Sequence, residues 1–300
     1  GAHHLLLIGP PGAGKSMLAH RLVGILPDLA STEAITTTIV HSAAHSALPP
    51  NGLLTRPPLR SPHHSTSLIA MVGGGTSSLR PGEISLATNG VLFLDELGEF
   101  APSVLDALRQ PLEEGVVRVA RAKSSAVLPA KFLLVAATNP CPCGEGTPGL
   151  CVCDDRAKQK YLRRFSGPLL DRFDLRVAVT RPHVDELLAT NKSESSSEIA
   201  LRVQQARNRS LERNGCLNSA LTAEALDKYA PLTKGASQLL RHQVERGRLS
   251  GRGYHRIRRV GRTVADLRDQ SEQVDEMHIA VALALRVGVQ PQFSGEQTVQ

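Results

Sequence analysis

Leu5-Leu6-Leu7-Ile8 runs straight into Gly9-Pro10-Pro11-Gly12-Ala13-Gly14-Lys15-Ser16, and Met17 continues into a helical stretch that ends by Pro27. The loop fits the pattern G-x-x-x-x-G-K-[ST]. Its glycines let the backbone turn tightly with N–H groups facing inward, and the helix start that follows adds positive potential; together these suit phosphate. Lys15 is spaced to reach β- and γ-phosphates, and the Ser16 hydroxyl to ligate Mg²⁺. A buried strand before the loop, a helix after it and Lys-Ser in register set it apart from a chance Gly-rich turn. Residues Gly9 to Met17 are therefore expected to bind ATP.

Working outward, Val91-Leu-Phe-Leu94 is a second apolar strand, and it ends in Asp95-Glu96. Asp95 then falls at the carboxyl edge of a sheet beside the phosphate loop, where it can hold the Mg²⁺ shell. Glu96 can polarise a water for attack on the γ-phosphate. Alone, two acids after a strand are a weak signal; paired with the phosphate loop they mark an ATP-hydrolysing site. A third strand, Phe132–Ala137, leads to Thr138-Asn139-Pro140. Asn139 either senses the γ-phosphate or orients the water, or it is a turn-forming Asn before Pro.

With Leu175–Val179, these strands are continuous apolar runs, as expected where both faces of a parallel sheet are covered. The Ser-, His-, Pro- and Gly-rich stretch from Val40 to Ser85 reads as functional loops rather than core. After Arg181-Pro182 the character changes: Asn191–Glu198 is polar and Ser-rich, and Ile199–Arg213, Ala223–Tyr229, Ser237–Leu249, Tyr254–Arg268 and Asp275–Val287 all have helical spacing. The expected layout is an α/β domain over 1–182, with a hairpin insertion at 115–131 and a cysteine loop at 140–154. A hinge over 183–198, an all-helical lid over 199–290 and a polar tail over 291–300 follow.

Several further strings occur in order: Ser61-Pro-His-His64, Val72-Gly-Gly-Gly75, Pro81-Gly-Glu-Ile-Ser-Leu-Ala87, Asn139-Pro-Cys-Pro-Cys143, Ser166-Gly-Pro-Leu-Leu-Asp-Arg172-Phe-Asp174 and Gly253-Tyr-His-Arg-Ile-Arg-Arg259. In these the chain resembles the magnesium-chelatase-like AAA+ ATPases of the ComM/YifB family, over nearly its whole length. The resemblance implies a P-loop AAA+ parallel sheet sandwiched by helices, then a helical lid. It also implies a homo-hexameric motor in the bacterial cytoplasm, with DNA as partner and branch migration during natural transformation as its activity. Arg172 would be an arginine finger entering a neighbour's ATP site, and Arg252 the second sensor of the lid. A rigid, permanently charged fork suits phosphoryl transfer; the plainer alternatives are a local ion pair for Arg172 and an ordinary surface arginine for Arg252. The family carries a domain with a Lon-protease-like fold, and a linker, ahead of the phosphate-loop strand. This chain starts at that strand without Met and reads as a motor cut there.

Residues Gly115–Leu128 read as strand, basic turn, strand, with Arg118 on the way to Arg121 and Lys123 near the tip. In related ring motors such a hairpin projects into the channel, where repeated cations would track a DNA backbone; the alternative is a solvated edge that blunts strand pairing. Gly73-Gly-Gly75-Thr76 is, by resemblance, a second channel loop, or else a linker. Cys141, Cys143, Cys151 and Cys153 form two C-x-C pairs able to supply the tetrahedral sulfur set of a structural Zn²⁺, or are four reduced loop thiols. Cys216 reads as structural and His41, His45, His63 and His64 as loop residues.

Composition narrows the classes. No apolar run approaches the roughly 18–20 residues of a membrane helix, and a crowded set of Cys does not resemble a secreted disulfide framework. Aromatic content of 3% with no Trp argues against base stacking as the main grip on single strands. The net charge is +7, and residues 241–269 hold nine Arg against three acids, so the excess is local rather than a basic coat. A protein-remodelling ATPase of the magnesium-chelatase motor type shares the same core and is the second reading. DNA acceleration of ATP turnover separates the two.

Overall fold

The computed structural model describes residues 1–75, 79–120, 125–146, 150–165, 167–182, 194–268 and 270–287. Its strands in chain order are β1 (Leu5–Ile8), β2 (Leu59–Arg60), β3 (Gly73–Gly74), β4 (Arg80–Pro81) and β5 (Val91–Leu94). The hairpin strands β6 (Val116–Ala120) and β7 (Ser125–Pro129) precede β8 (Leu133–Thr138) and β9 (Leu175–Ala178). Five of them form one parallel sheet in the order β2-β5-β8-β1-β9.

Side chains alternate across each strand, which explains why the runs are apolar throughout. Leu6, Leu92, Leu94 and Leu134 pack into a layer with Ile84, Leu97, Leu105 and Phe173. Leu7, Val91, Phe93 and Val135 pack on the other side with Ala19, Leu22 and Val23 of the Lys15–Val23 helix. Neither face of β5 meets water. The chain is thus an α/β protein with a parallel sheet covered on both faces, as expected.

The Val40–Ser85 stretch is more structural than its composition suggests. It supplies edge strand β2, the β3–β4 pair and the buried Met71 and Ile84, while His41 sits in the Ser31–Ala43 helix with Nε2 2.9 Å from the Leu86 carbonyl. Short apolar patches broken by Pro, Gly and His carry too little periodicity to announce this. Residues 76–78 and 121–124, the latter including Arg121 and Lys123, lie outside the described residues.

Beyond residue 193 the helices Ser196–Asn214, Ala223–Tyr229, Lys234–Glu245, Gly251–Arg268 and Glu276–Val287 enclose their own core of Leu226, Leu240, Ile257, Val260 and Ile279. The first begins earlier than its apolar spacing implies. Ser195 Oγ accepts from the Glu198 N–H while the Glu198 carboxylate accepts from the Ser195 N–H, a reciprocal cap. Residues 183–193 of the expected hinge, and the expected tail, lie outside the described residues.

The helical domain meets the sheet at its amino edge. His3, just before β1, places Nε2 2.7 Å from Thr263 Oγ1. Asp174, just before β9, accepts from Arg256 at 3.2 Å, and Arg286 donates to the Phe173 carbonyl at 2.8 Å. His4 Nδ1 accepts the Leu134 N–H, which requires a neutral ring, and burial pushes its pKa down to about 4. Four strand residues, about 13 Å at 3.3 Å each, separate this edge from the phosphate loop.

Candidate nucleotide site

The phosphate loop leaves β1, which lies between β8 and the edge strand β9, where the strand order reverses and open α/β sheets form their ligand crevice. Gly14 caps the Lys15–Val23 helix at φ +84°, a left-handed conformation that costs a residue with a Cβ. The next two side chains are thereby aimed back across the loop. Lys15 Nζ donates to the Gly9 carbonyl at 2.7 Å, the Pro10 carbonyl at 2.9 Å and Asn139 Oδ1 at 3.2 Å. Burial lowers its pKa, against the opposing pull of Asp95 and Glu96. Ser16 Oγ donates to Asp95 Oδ2 at 2.6 Å, and Asp95 Oδ1 accepts the Glu96 N–H at 2.9 Å.

Three sequence-separated stretches therefore converge. A cleft of about 440 Å³ is bounded by the loop from Pro11 to Met17 together with Asp95, Glu96 and Asn139. Basic nitrogen, helix N–H groups and a hydroxyl–carboxylate oxygen pair are the donor set for a triphosphate and a hard divalent cation. Glu96 lies at φ +51°, ψ +48°, a conformation a non-glycine residue adopts at a cost of about 1–3 kcal/mol. Its carboxylate is 61% exposed, with His64 Nδ1 3.3 Å from Oε2.

Local sequence marks His64 only as a loop residue, yet β-pairing locates it. Arg60 lies opposite Leu92, so the residue four beyond β2 comes level with Glu96, four beyond Leu92. Arg181 carries no motif of its own. Its Nε donates to the Pro11 carbonyl at 3.2 Å, and its guanidinium pairs with Glu145 at 2.7 Å.

Arg172 and Arg252 lie elsewhere. Arg172 precedes β9 at the amino edge, almost wholly buried, and its guanidinium pairs with Glu113. Burial and the nearby charges of Arg256, Arg252 and Arg109 all act against its protonated form. Arg252 is exposed and close enough for its charge to act on Arg172, which stands near the amino end of β1, the end opposite the phosphate loop. On the hairpin, where β6 and β7 pair antiparallel, the exposed Arg118 pairs with Glu114 at 3.3 Å.

The four cysteines do come together. Cys141, Cys143, Cys151 and Cys153 have all Sγ atoms within 4.8 Å of one another, a group able to hold a metal ion. A hydrogen bond from the Glu145 N–H brings the Cys143 pKa down to about 6, while burial pushes that of Cys141 up to about 12. Among the described residues no helix is long and apolar enough to cross a membrane.

Residues 1–187 match the family model "Magnesium chelatase, subunit ChlI", and residues 193–286 match "Magnesium chelatase, subunit ChlI C-terminal". The chain is 44% identical to competence protein ComM of Haemophilus influenzae, over 96% of this chain and 56% of that protein. It is 43% identical to the uncharacterized protein YifB of Escherichia coli, over 95% of this chain and 56% of that one. The probable DNA helicase MCM9 of Arabidopsis thaliana is 29% identical over 58% of this chain and 22% of its own length. The chain thus spans little more than half the length of its bacterial relatives.

Proposed function

Since this chain belongs to the magnesium-chelatase-like family of AAA+ ATPases, we propose that it is the motor part of a DNA-translocating ring: an ATP-hydrolysing, homo-hexameric branch-migration helicase of the ComM type, working in the bacterial cytoplasm during natural transformation. The observation that carries the ATPase reading is the convergence of Lys15, Ser16, Asp95 and Asn139 through direct hydrogen bonds. In this reading Lys15 and the loop N–H groups, from Gly9 to Met17, hold the phosphates. Ser16 and Asp95 hold Mg²⁺, which when bound neutralises charge on the β- and γ-phosphates. Glu96 takes a proton from the attacking water and Asn139 orients it against the γ-phosphate. Arg172 and Arg252 complete the site of the next copy, a role supported by the family likeness and by the place of Arg172 near the amino end of β1, opposite the chain's own phosphate loop. The thiol cluster holds Zn²⁺.

DNA as the substrate is supported by the family likeness and by the basic turn, in which Arg121 and Lys123 follow Arg118 in sequence. ATP turnover measured with and without forked DNA tests it. Turnover rises severalfold with DNA, falls off with salt as phosphate contacts do, and loses its DNA response in an Arg121→Ala/Lys123→Ala variant. Equal turnover with and without DNA overturns the DNA reading and favours a protein-remodelling chelatase-type motor.

A further inference from the structure

The cysteine loop does not stand apart from the phosphate loop; it is built against it. Gly144, in the turn between the two C-x-C pairs, lies at φ +88°, and a Cβ placed there would come within 2.8 Å of Pro11 Cδ. From the other side Arg181 joins the two, donating to the Pro11 carbonyl and pairing with Glu145 through both terminal nitrogens, at 2.7 and 3.2 Å. Asn139, which receives the Lys15 ammonium, precedes Cys141 by two residues. Three routes therefore link one short loop to the groups expected to hold phosphate.

Three of the sulfurs stand near the spacing of a tetrahedral metal site, and Cys153 Sγ lies within 4.8 Å of each. Four thiolates each about 2.3 Å from Zn²⁺ lie about 3.8 Å apart. Cys141 is 3.3 Å from Cys143 and 3.6 Å from Cys151, and Cys143 is 3.7 Å from Cys151. Backbone N–H groups point at the sulfurs, as a metal-bound thiolate set requires for charge balance: Gly144 and Gly146 toward Cys141, Glu145 toward Cys143, and Cys143 itself toward Cys153 at 3.4 Å. Metal uptake would release the thiol protons to solvent and tie the two C-x-C pairs into one unit.

The geometry points to a metal-held brace of the phosphate loop: Zn²⁺ in the four-cysteine site fixes Gly144 and Glu145 against Pro11 and Arg181, so that metal occupancy sets the affinity of the cleft for nucleotide. This rests on the reading of the cleft as an ATP site. Without the metal the loop loses its anchor and the phosphate-binding N–H groups their fixed backing. With the metal they are held before nucleotide arrives.

The test uses the whole chain purified without chelator. Zinc is quantified by elemental analysis and by release on mercurial titration of the thiols, and binding of a fluorescent ATP analogue is measured in loaded, stripped and zinc-reloaded protein. One zinc per chain is expected. Stripping weakens nucleotide binding by at least about tenfold, within the range that displacement of aligned groups by an ångström can cost, and zinc but not Mg²⁺ restores it. An Arg181→Ala variant keeps its zinc yet binds nucleotide more weakly, which separates the brace from folding of the loop. Absence of zinc, or equal nucleotide affinity in loaded and stripped protein, overturns the brace. Failure of every form to bind the analogue overturns the ATP reading and the brace with it.

Discussion

Glu96→Gln leaves ATP bound and removes its turnover. The groups that would hold the triphosphate are Lys15, bonded to Asn139, and Ser16, bonded to Asp95; neither bond involves the Glu96 side chain. Glutamine keeps the size of glutamate and its place beside His64 but cannot take a proton from water. Loss of a general base costs about 10²–10⁴-fold in rate, so steady-state turnover should fall at least a hundredfold by that estimate while the affinity for a fluorescent ATP analogue stays as in the wild type. A variant that loses binding and turnover together would mean that Glu96 shapes the cleft rather than acting on water. The left-handed backbone at Glu96, at φ +51°, belongs with this role, because strain of that kind persists where the surroundings hold a residue to a task.

Asp266→Ala unfolds the helical domain under conditions where the wild type is stable. Asp266 and Arg262 are each about 1% exposed and lie 2.9 Å apart. Arg213 grips the same carboxylate through two nitrogens at 2.7 and 2.8 Å, and Asn218 donates to it at 2.7 Å. Burial disfavours the charge, yet the hydrogen bonds of Arg213 and Asn218 and the charge of Arg262 hold the Asp266 carboxyl below its usual pKa. Its contribution is therefore present above the ordinary carboxylate value and is lost as the pH falls through the lowered one. Truncation takes the carboxylate from a buried guanidinium that keeps, among the described residues, its carbonyl bonds to Ser271 and Glu272, at a cost of about 3–5 kcal/mol, set against a total stability of about 5–15 kcal/mol. Asp227→Ala is the contrasting change. Asp227 also pairs with a buried arginine, Arg258, but its own carboxylate is 78% exposed and Arg258 keeps its bonds to the Leu226 and Ala230 carbonyls, so the solvent-screened pair contributes less, about 1 kcal/mol. Urea unfolding followed by circular dichroism separates the two variants.

The parts of the fold that were legible in sequence are those where chemistry leaves few choices. A buried strand must be apolar, and a phosphate loop needs Gly and Lys-Ser at fixed spacing; β1, β5, β8 and the residues at their carboxyl ends follow. The Ser195–Glu198 cap was equally present as a local signal, but a Ser-rich run masks it as linker. His64 and Arg181 could not be read from local pattern at all. One reaches Glu96 through strand register, the other reaches Pro11 by packing across the sheet edge. The same holds for Arg172. Its motif implies a role toward a neighbouring copy, while its burial against Glu113 and its place at the amino edge beside Arg252 are tertiary facts.

That placement leads to the central claim, that each ATP site is shared between two copies of the chain. Lys15→Ala should disable a chain's own cleft, and Arg252→Ala, which alters an exposed side chain, should disable only what the chain offers its neighbour. Turnover of the two variants is measured separately and after mixing. Each alone is expected to be nearly inactive, and the mixture should recover roughly a quarter of wild-type turnover, the share of head-to-tail contacts in a random ring that join an intact phosphate loop to an intact arginine. A mixture no more active than its two components would contradict the shared site.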